Sequence, residues 1–137
     1  MRILVLLLVA LAAGCAAVAP EQPAPQQAPE NAAVASLVQS ARADADAGRL
    51  SSAEASLERA LRIDPRNPRL WQQLAGVRLQ QGDYVQAESL AARSNSWAGT
   101  DDVLRAENWR VIAEARRARG DDAGAQQALE RAERYGR

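Results

Sequence analysis

The stretch Pro68–Asp101, PRLWQQLAGVRLQQGDYVQAESLAARSNSWAGTD, decides the fold. Trp71, Leu74 and Ala75 fall at helical spacing in its first half. Gly82-Asp83 interrupts the pattern, and Tyr84, Ala87 and Ala91 resume it on a second short helix. Two short helices joined by such a turn form an αα-hairpin, which is too small to bury its own apolar face. The hairpin therefore needs neighbours.

The sequence supplies them. Thirty-four residues earlier, Leu37, Ala41, Gly48, Leu50, Ala53, Leu57, Ala60 and Pro65 occupy the same slots. Thirty-eight residues later, Trp109, Ile112, Ala113, Gly120, Ala125, Leu129 and Ala132 occupy them again. These residues resemble the tetratricopeptide repeat: Trp, then Leu-Gly, a Gly-containing turn, Ala, Phe and Ala on the second helix, then Pro. Phe is absent from the chain, and its slot holds Leu57, Ala91 and Leu129. The third copy starts four residues late. The resemblance implies an all-α solenoid of three hairpins, at about 34–67, 68–101 and 106–137.

Local signals place the six helices. Ala32–Ala47 reads as the first, and Ser51 or Ser52 caps or joins a second that runs to Ile63. Asp64-Pro65 stops it, and Pro68 suits the first turn of the next. Arg69–Gln81 and Asp83–Ser94 follow, then an irregular insertion, Asn95–Thr100. Thr100, Asp101 or Asp102 caps a fifth helix to about Arg119, and a sixth ends near Tyr135. On that last helix Ala125, Ala128, Leu129 and Ala132 face inward. Gln126, Gln127, Glu130, Arg131 and Arg134 face outward, so the helix caps the stack itself, or a partner or second copy covers it.

The amino-terminal part reads differently. Residues 1–14, MRILVLLLVALAAG, put one charge, Arg2, before an apolar run from Ile3 to Leu11. That run is too short to span a bilayer and matches a secretory signal segment. Ala12-Ala13-Gly14-Cys15 resembles a bacterial lipobox. The resemblance implies that Cys15 becomes the mature amino terminus, carrying a thioether-linked diacylglycerol and an N-acyl chain. Ala16, where Asp would imply inner-membrane retention, points to the outer membrane. Three acyl chains, at roughly 0.8 kcal/mol per buried CH₂, exceed what stable anchoring requires. Residues 15–31 then form a linker in which Pro20, Pro23, Pro25 and Pro29 alternate with Gln, Glu and Ala. Its sixteen residues after Cys15 reach roughly 50 Å as an extended tether, ahead of a repeat domain at 32–137.

Composition narrows the function. Seventeen Arg balance 17 Asp and Glu, Lys is absent, and the net charge is zero. Nucleic-acid binding needs a positive excess, which this chain lacks. There is no His, and Cys15 is the only thiol, so neither an intrachain disulfide nor a Cys/His metal site is expected, and no cofactor beyond the lipid. Without a His base, a free nucleophilic thiol or a Gly-rich phosphate loop, catalysis is not expected either.

What remains is contact. In tetratricopeptide arrays the first helix of each repeat lines the concave surface. Carried over position by position, this places Arg42 and Asp46 there from the first repeat. Arg69, Gln72, Gln73 and Gln80 follow from the second, and Glu107, Arg110, Glu114 and Arg117 from the third. Such a polar, mixed-charge surface suits an extended peptide or a polar protein face, although solvated helix faces would look the same. Repeats that bind chaperone tails hold the peptide carboxylate with Lys and Asn. Those slots here carry Val38, Arg42, Gln72 and Gly76, which excludes that activity. Trp71, Trp109 and Tyr84 occupy packing slots and are expected in the core. Trp97, inside the insertion, either packs over the junction of repeats two and three or stands exposed as an interface anchor. Arg116, Arg117 and Arg119 form a basic cluster that is either solvated or a docking patch.

Length, lipobox, tether and the RSNSW insertion followed by NWRVIAEARR are similar to small tetratricopeptide lipoproteins of pseudomonads and relatives. That group includes the activator of the bifunctional class A penicillin-binding protein. This resemblance implies an outer-membrane module that reaches an inner-membrane peptidoglycan synthase and stimulates it. The alternatives are a piloting factor for an outer-membrane secretin or pilus complex, and a generic periplasmic scaffold that dimerises through a free end.

Overall fold

The hairpin turns are built the same way three times. Each first helix ends on a glycine in the left-handed region: Gly48 (φ 73°), Gly82 (φ 80°) and Gly120 (φ 82°). A side chain is disfavoured at such φ, and glycine has none. The residue after each glycine returns its N–H five residues back: Arg49 to Asp44 O at 2.8 Å, Asp83 to Arg78 O at 2.9 Å, and Asp121 to Arg116 O at 3.0 Å. This closes the helix end with a Schellman motif. The same residue then opens the next helix. Asp83 accepts from Gln86 N at 3.2 Å and Asp121 from Gly124 N at 2.8 Å, whereas Arg49 makes no side-chain cap.

A computed structural model of the chain describes residues 27–136, with side chains from 31 onward. It contains α1 (Gln27–Asp46), α2 (Leu50–Ile63), α3 (Pro68–Gln80), α4 (Tyr84–Trp97), α5 (Asp102–Ala118) and α6 (Asp122–Tyr135). No strand occurs among the described residues. Each helix packs on the next in order, and α3 also touches α5, which joins the first helices of successive repeats. The fold is the expected three-hairpin solenoid.

Two boundaries differ from the sequence reading. The first is α1, which begins at Gln27 rather than Ala32 and takes in Pro29. The first turn of a helix has no intrahelical partner for its N–H groups, so a proline there loses nothing. The second is α4, which runs on through Asn95 and Ser96 to Trp97 instead of ending at Ser94. A polar junction holds that last turn. Ser94 Oγ donates to Pro68 O at 2.8 Å. Asn108 Nδ2 donates to Ser94 Oγ at 2.7 Å and to Asn95 Oδ1 at 3.0 Å. Ser94 and Asn108 are fully buried, so this network ties α3, α4 and α5 where solvent cannot compete. Ser51 and Ser52 lie within the first turn of α2 and do not cap it.

The core is built on alanine and leucine. One cluster joins Ala41, Ala53, Leu57, Ala60, Leu61, Leu70, Leu74 and Val77; the other joins Ala75, Ala91, Ile112, Ala113 and Ala128. Where the repeat pattern has Phe, Leu57 and Ala91 are buried and Leu129 half-buried. The small residues let helix axes approach closely. Ala125, Ala128 and Ala132 of α6 are buried, and Gln126, Gln127, Glu130, Arg131 and Arg134 are exposed, so the outer face of α6 is polar.

A charged clamp repeats between hairpins. Glu54 of α2 pairs with Arg78 of α3 and accepts from Gln81 Nε2 at 2.9 Å. One repeat later Glu88 of α4 accepts from Arg116 Nε at 2.8 Å, Arg116 Nη2 at 2.7 Å and Arg119 Nη1 at 3.1 Å. Both pairs are about one-quarter exposed or less at the carboxylate and central arginine. They are therefore partly desolvated and hold the repeat stagger directionally, which apolar packing alone does not.

Candidate partner-binding surface

The first helices α1 and α3 are both packed on α2 and both contribute to one surface depression. Between them runs an open groove. Its floor is Ala41, Ala45, Gly76 and Val77, and its polar edges are Arg42, Asp46, Gln72, Gln73 and Gln80. Five of the residues expected on the concave surface thus come together. Gly76 is helical, and a Cβ built on it would meet no other atom, so the groove stays shallow and unfilled there. Its volume is about 230 Å³. That is below the ~300–1,000 Å³ typical of small-molecule pockets, and suits side chains of another protein better than an enclosed ligand.

Arg110, Glu114 and Arg117 are exposed and line a separate depression with Ala113, Ala118 and Leu129, between α5 and α6. Of the residues expected on the concave surface, five line one depression and three line the other. Two further candidates lie outside both. Arg69 reaches across the repeat junction and donates to Asp101 Oδ2 at 2.7 Å; Asp101 also caps α5 through Leu104 N at 3.0 Å. Sequence spacing hid this pair, because its members lie 32 residues apart, at the two ends of the second repeat. Glu107 is half-buried and lines neither patch.

Trp97 is 42% exposed at the end of α4, with the Arg66 guanidinium 5.4 Å from its ring centroid. Of the two alternatives for it, exposure is the one found. Trp71 and Trp109, expected in the core, are half-buried. Each lays one face on the core and offers the other to an arginine: Arg93 at 4.3 Å and Arg131 at 4.6 Å. The reason is that cation–π stacking covers an aromatic face as effectively as an apolar neighbour while leaving the cation wet. Trp71 also donates through Nε1 to Pro65 O at 2.9 Å, locking its ring to the α2–α3 turn. Tyr84 is half-buried rather than core, and Tyr135 is half-buried under Arg105.

The basic cluster on α5 is largely consumed inside the fold. Arg116 and Arg119 both serve Glu88, which leaves Arg117 without an ion pair among the described residues. Among those residues no group of three or more His, Cys, Asp or Glu could hold a metal ion, and no helix is long and apolar enough to cross a membrane. Cys15, the apolar leader and the proline-rich stretch before Gln27 lie outside the described residues.

Three stacked αα-hairpins with a polar groove on their first helices define a repeat-type interaction scaffold, and the comparisons agree. The tetratricopeptide repeat model matches residues 44–107. The chain is similar to the solved globular C-terminal domain of P. aeruginosa LpoP, with 46% identity and a TM-score of 0.72, over 73% of this chain and 94% of that one. No curated protein matches. The chain belongs to the tetratricopeptide repeat family, and within it to the group represented by the LpoP C-terminal domain.

Proposed function

We propose that the chain is an outer-membrane lipoprotein, anchored through acylated Cys15, that binds and activates a class A penicillin-binding protein. The observation that carries this reading is the 46% identity to the LpoP domain across nearly all of that domain. The leader and tether fit the role. Anchoring on one surface turns a modest affinity into frequent engagement, because the partner meets the module at high effective concentration. The groove between α1 and α3 is the contact surface of this reading, with Arg42, Asp46, Gln72, Gln73 and Gln80 supplying hydrogen bonds and charge. Activation by contact asks no chemistry of the chain itself; it stabilises one conformation of the synthase by binding it better than the others.

The test is reconstitution. The full chain in detergent, added to a purified class A penicillin-binding protein with lipid-linked precursor, is expected to bind it and raise both glycan polymerisation and crosslinking. No binding and unchanged product would overturn the reading. Mass spectrometry of the chain purified from its own membranes tests the anchor separately. Fatty acids on Cys15 are expected, and an unmodified thiol would refute lipidation.

A further inference from the structure

The arginines of the repeat helices divide into two kinds. Arg78 and Arg116 are neutralised by Glu54 and Glu88. Arg59, Arg93 and Arg131 stand at one shared repeat position and have no ion pair among the described residues. Arg93 is moreover held in place, stacked on Trp71 at 4.3 Å. A stacked guanidinium keeps its N–H edge free and has already lost much of its rotamer freedom, so it is prepared to grip a carboxylate in two-point fashion.

Beside it lies a cleft of about 560 Å³ between α2 and α4, larger than the groove between α1 and α3. Trp71, Leu61, Leu74 and Leu90 give it an apolar lining, and Arg62 and Arg93 stand at its rim. On a 3.6-residue wheel its α3 residues, Trp71, Leu74 and Arg78, fall opposite those of the groove. We propose that this cleft receives an extended, acidic segment of a partner protein, one apolar side chain against the Leu61, Leu74 and Leu90 lining and a neighbouring carboxylate on Arg93 and Arg62. An apolar lining wants an apolar side chain, and two forks want a carboxylate. The site is singular. Arg131 and Trp109 repeat the stack at 4.6 Å, but there the wall positions of Glu58, Leu61 and Arg62 are taken by Ala92, Asn95 and Ser96, with neither an apolar wall nor a second arginine.

The inference goes beyond the synthase reading and does not depend on it. Its test uses the full chain in detergent and a fluorescent peptide, acetyl-Glu-Leu-Asp-Leu-Glu-amide, read by anisotropy against its carboxamide counterpart, acetyl-Gln-Leu-Asn-Leu-Gln-amide. The acidic peptide is expected to bind at least tenfold more tightly. R93Q and R62Q, each checked for unchanged helicity, should each weaken it about tenfold, and R131Q should leave it within twofold. No binding, equal binding of the two peptides, or an R131Q loss matching that of R93Q would overturn the proposal. A synthase that ignores the whole protein would refute the proposed function while leaving this peptide result intact.

Discussion

Removing the Glu88 carboxylate should loosen the junction between repeats two and three. Glu88 accepts three charge-assisted hydrogen bonds from Arg116 and Arg119. An exposed ion pair contributes about 0–1 kcal/mol, and breaking a fully buried one costs about 3–5 kcal/mol. The side chains of Glu88 and Arg116 are 22% and 28% exposed, so the pair sits between those limits. Solvent screening at that exposure brings the expected loss for Glu88→Ala to about 1–2 kcal/mol, most of it from stranding Arg116. Arg116 Nη1 keeps only its bond to Gly124 O at 3.3 Å. For a domain of this size that is a fall of roughly 4–10 °C in Tm. Stability in a solenoid is a sum of repeats and junctions, so the third hairpin should also unfold ahead of the first two. Urea titration followed by circular dichroism, with hydrogen exchange to locate the loss, measures both effects. Glu88→Gln, which keeps an acceptor, should lose less. A change below 0.5 kcal/mol, or a coupling energy near zero in the cycle with Arg116→Met, would refute the claim that this pair fixes the repeat stagger.

Three other outcomes follow from the packing. Leu57, 1% exposed in the slot the repeat pattern gives to Phe, should cost about 2–5 kcal/mol on truncation to Ala, measured by chemical denaturation. Gly76→Ala meets open space and gains helix propensity, so stability should rise by about 0.5–1 kcal/mol while synthase binding weakens as the groove floor rises. The detergent-free repeat region, residues 27–137, should be monomeric by light scattering. A copy stacked end to end would place Gln126 and Asp44 where the inner junctions place Glu and Arg, so the clamp cannot form.

Repeat phase was legible because it rests on local chemistry. Gly48, Gly82 and Gly120 end helices wherever they stand, and the buried alanines follow the 3.6-residue period. The five groove residues on α1 and α3 were legible for the same reason: they are fixed by their own helices. Side chains whose partners lie far along the chain were not. Arg69 reads as free until Asp101 is brought beside it, and Arg116 as a solvated or docking cation until Glu88 arrives. A signal was present in the repeat register, since Glu54 and Glu88 are equivalent, as are Arg78 and Arg116, and paired periodic charges of opposite sign mark a junction. Asn95 and Ser96 read as irregular because nothing local shows that Asn108 will bond to Ser94 and Asn95.

A photoreactive residue placed at Gln73 in living cells tests the central claim most directly, that the groove between α1 and α3 grips a protein partner. The account predicts an ultraviolet-dependent adduct with the class A penicillin-binding protein from position 73. An adduct with that synthase from Trp97 but none from position 73, or no protein adduct at either, would contradict it.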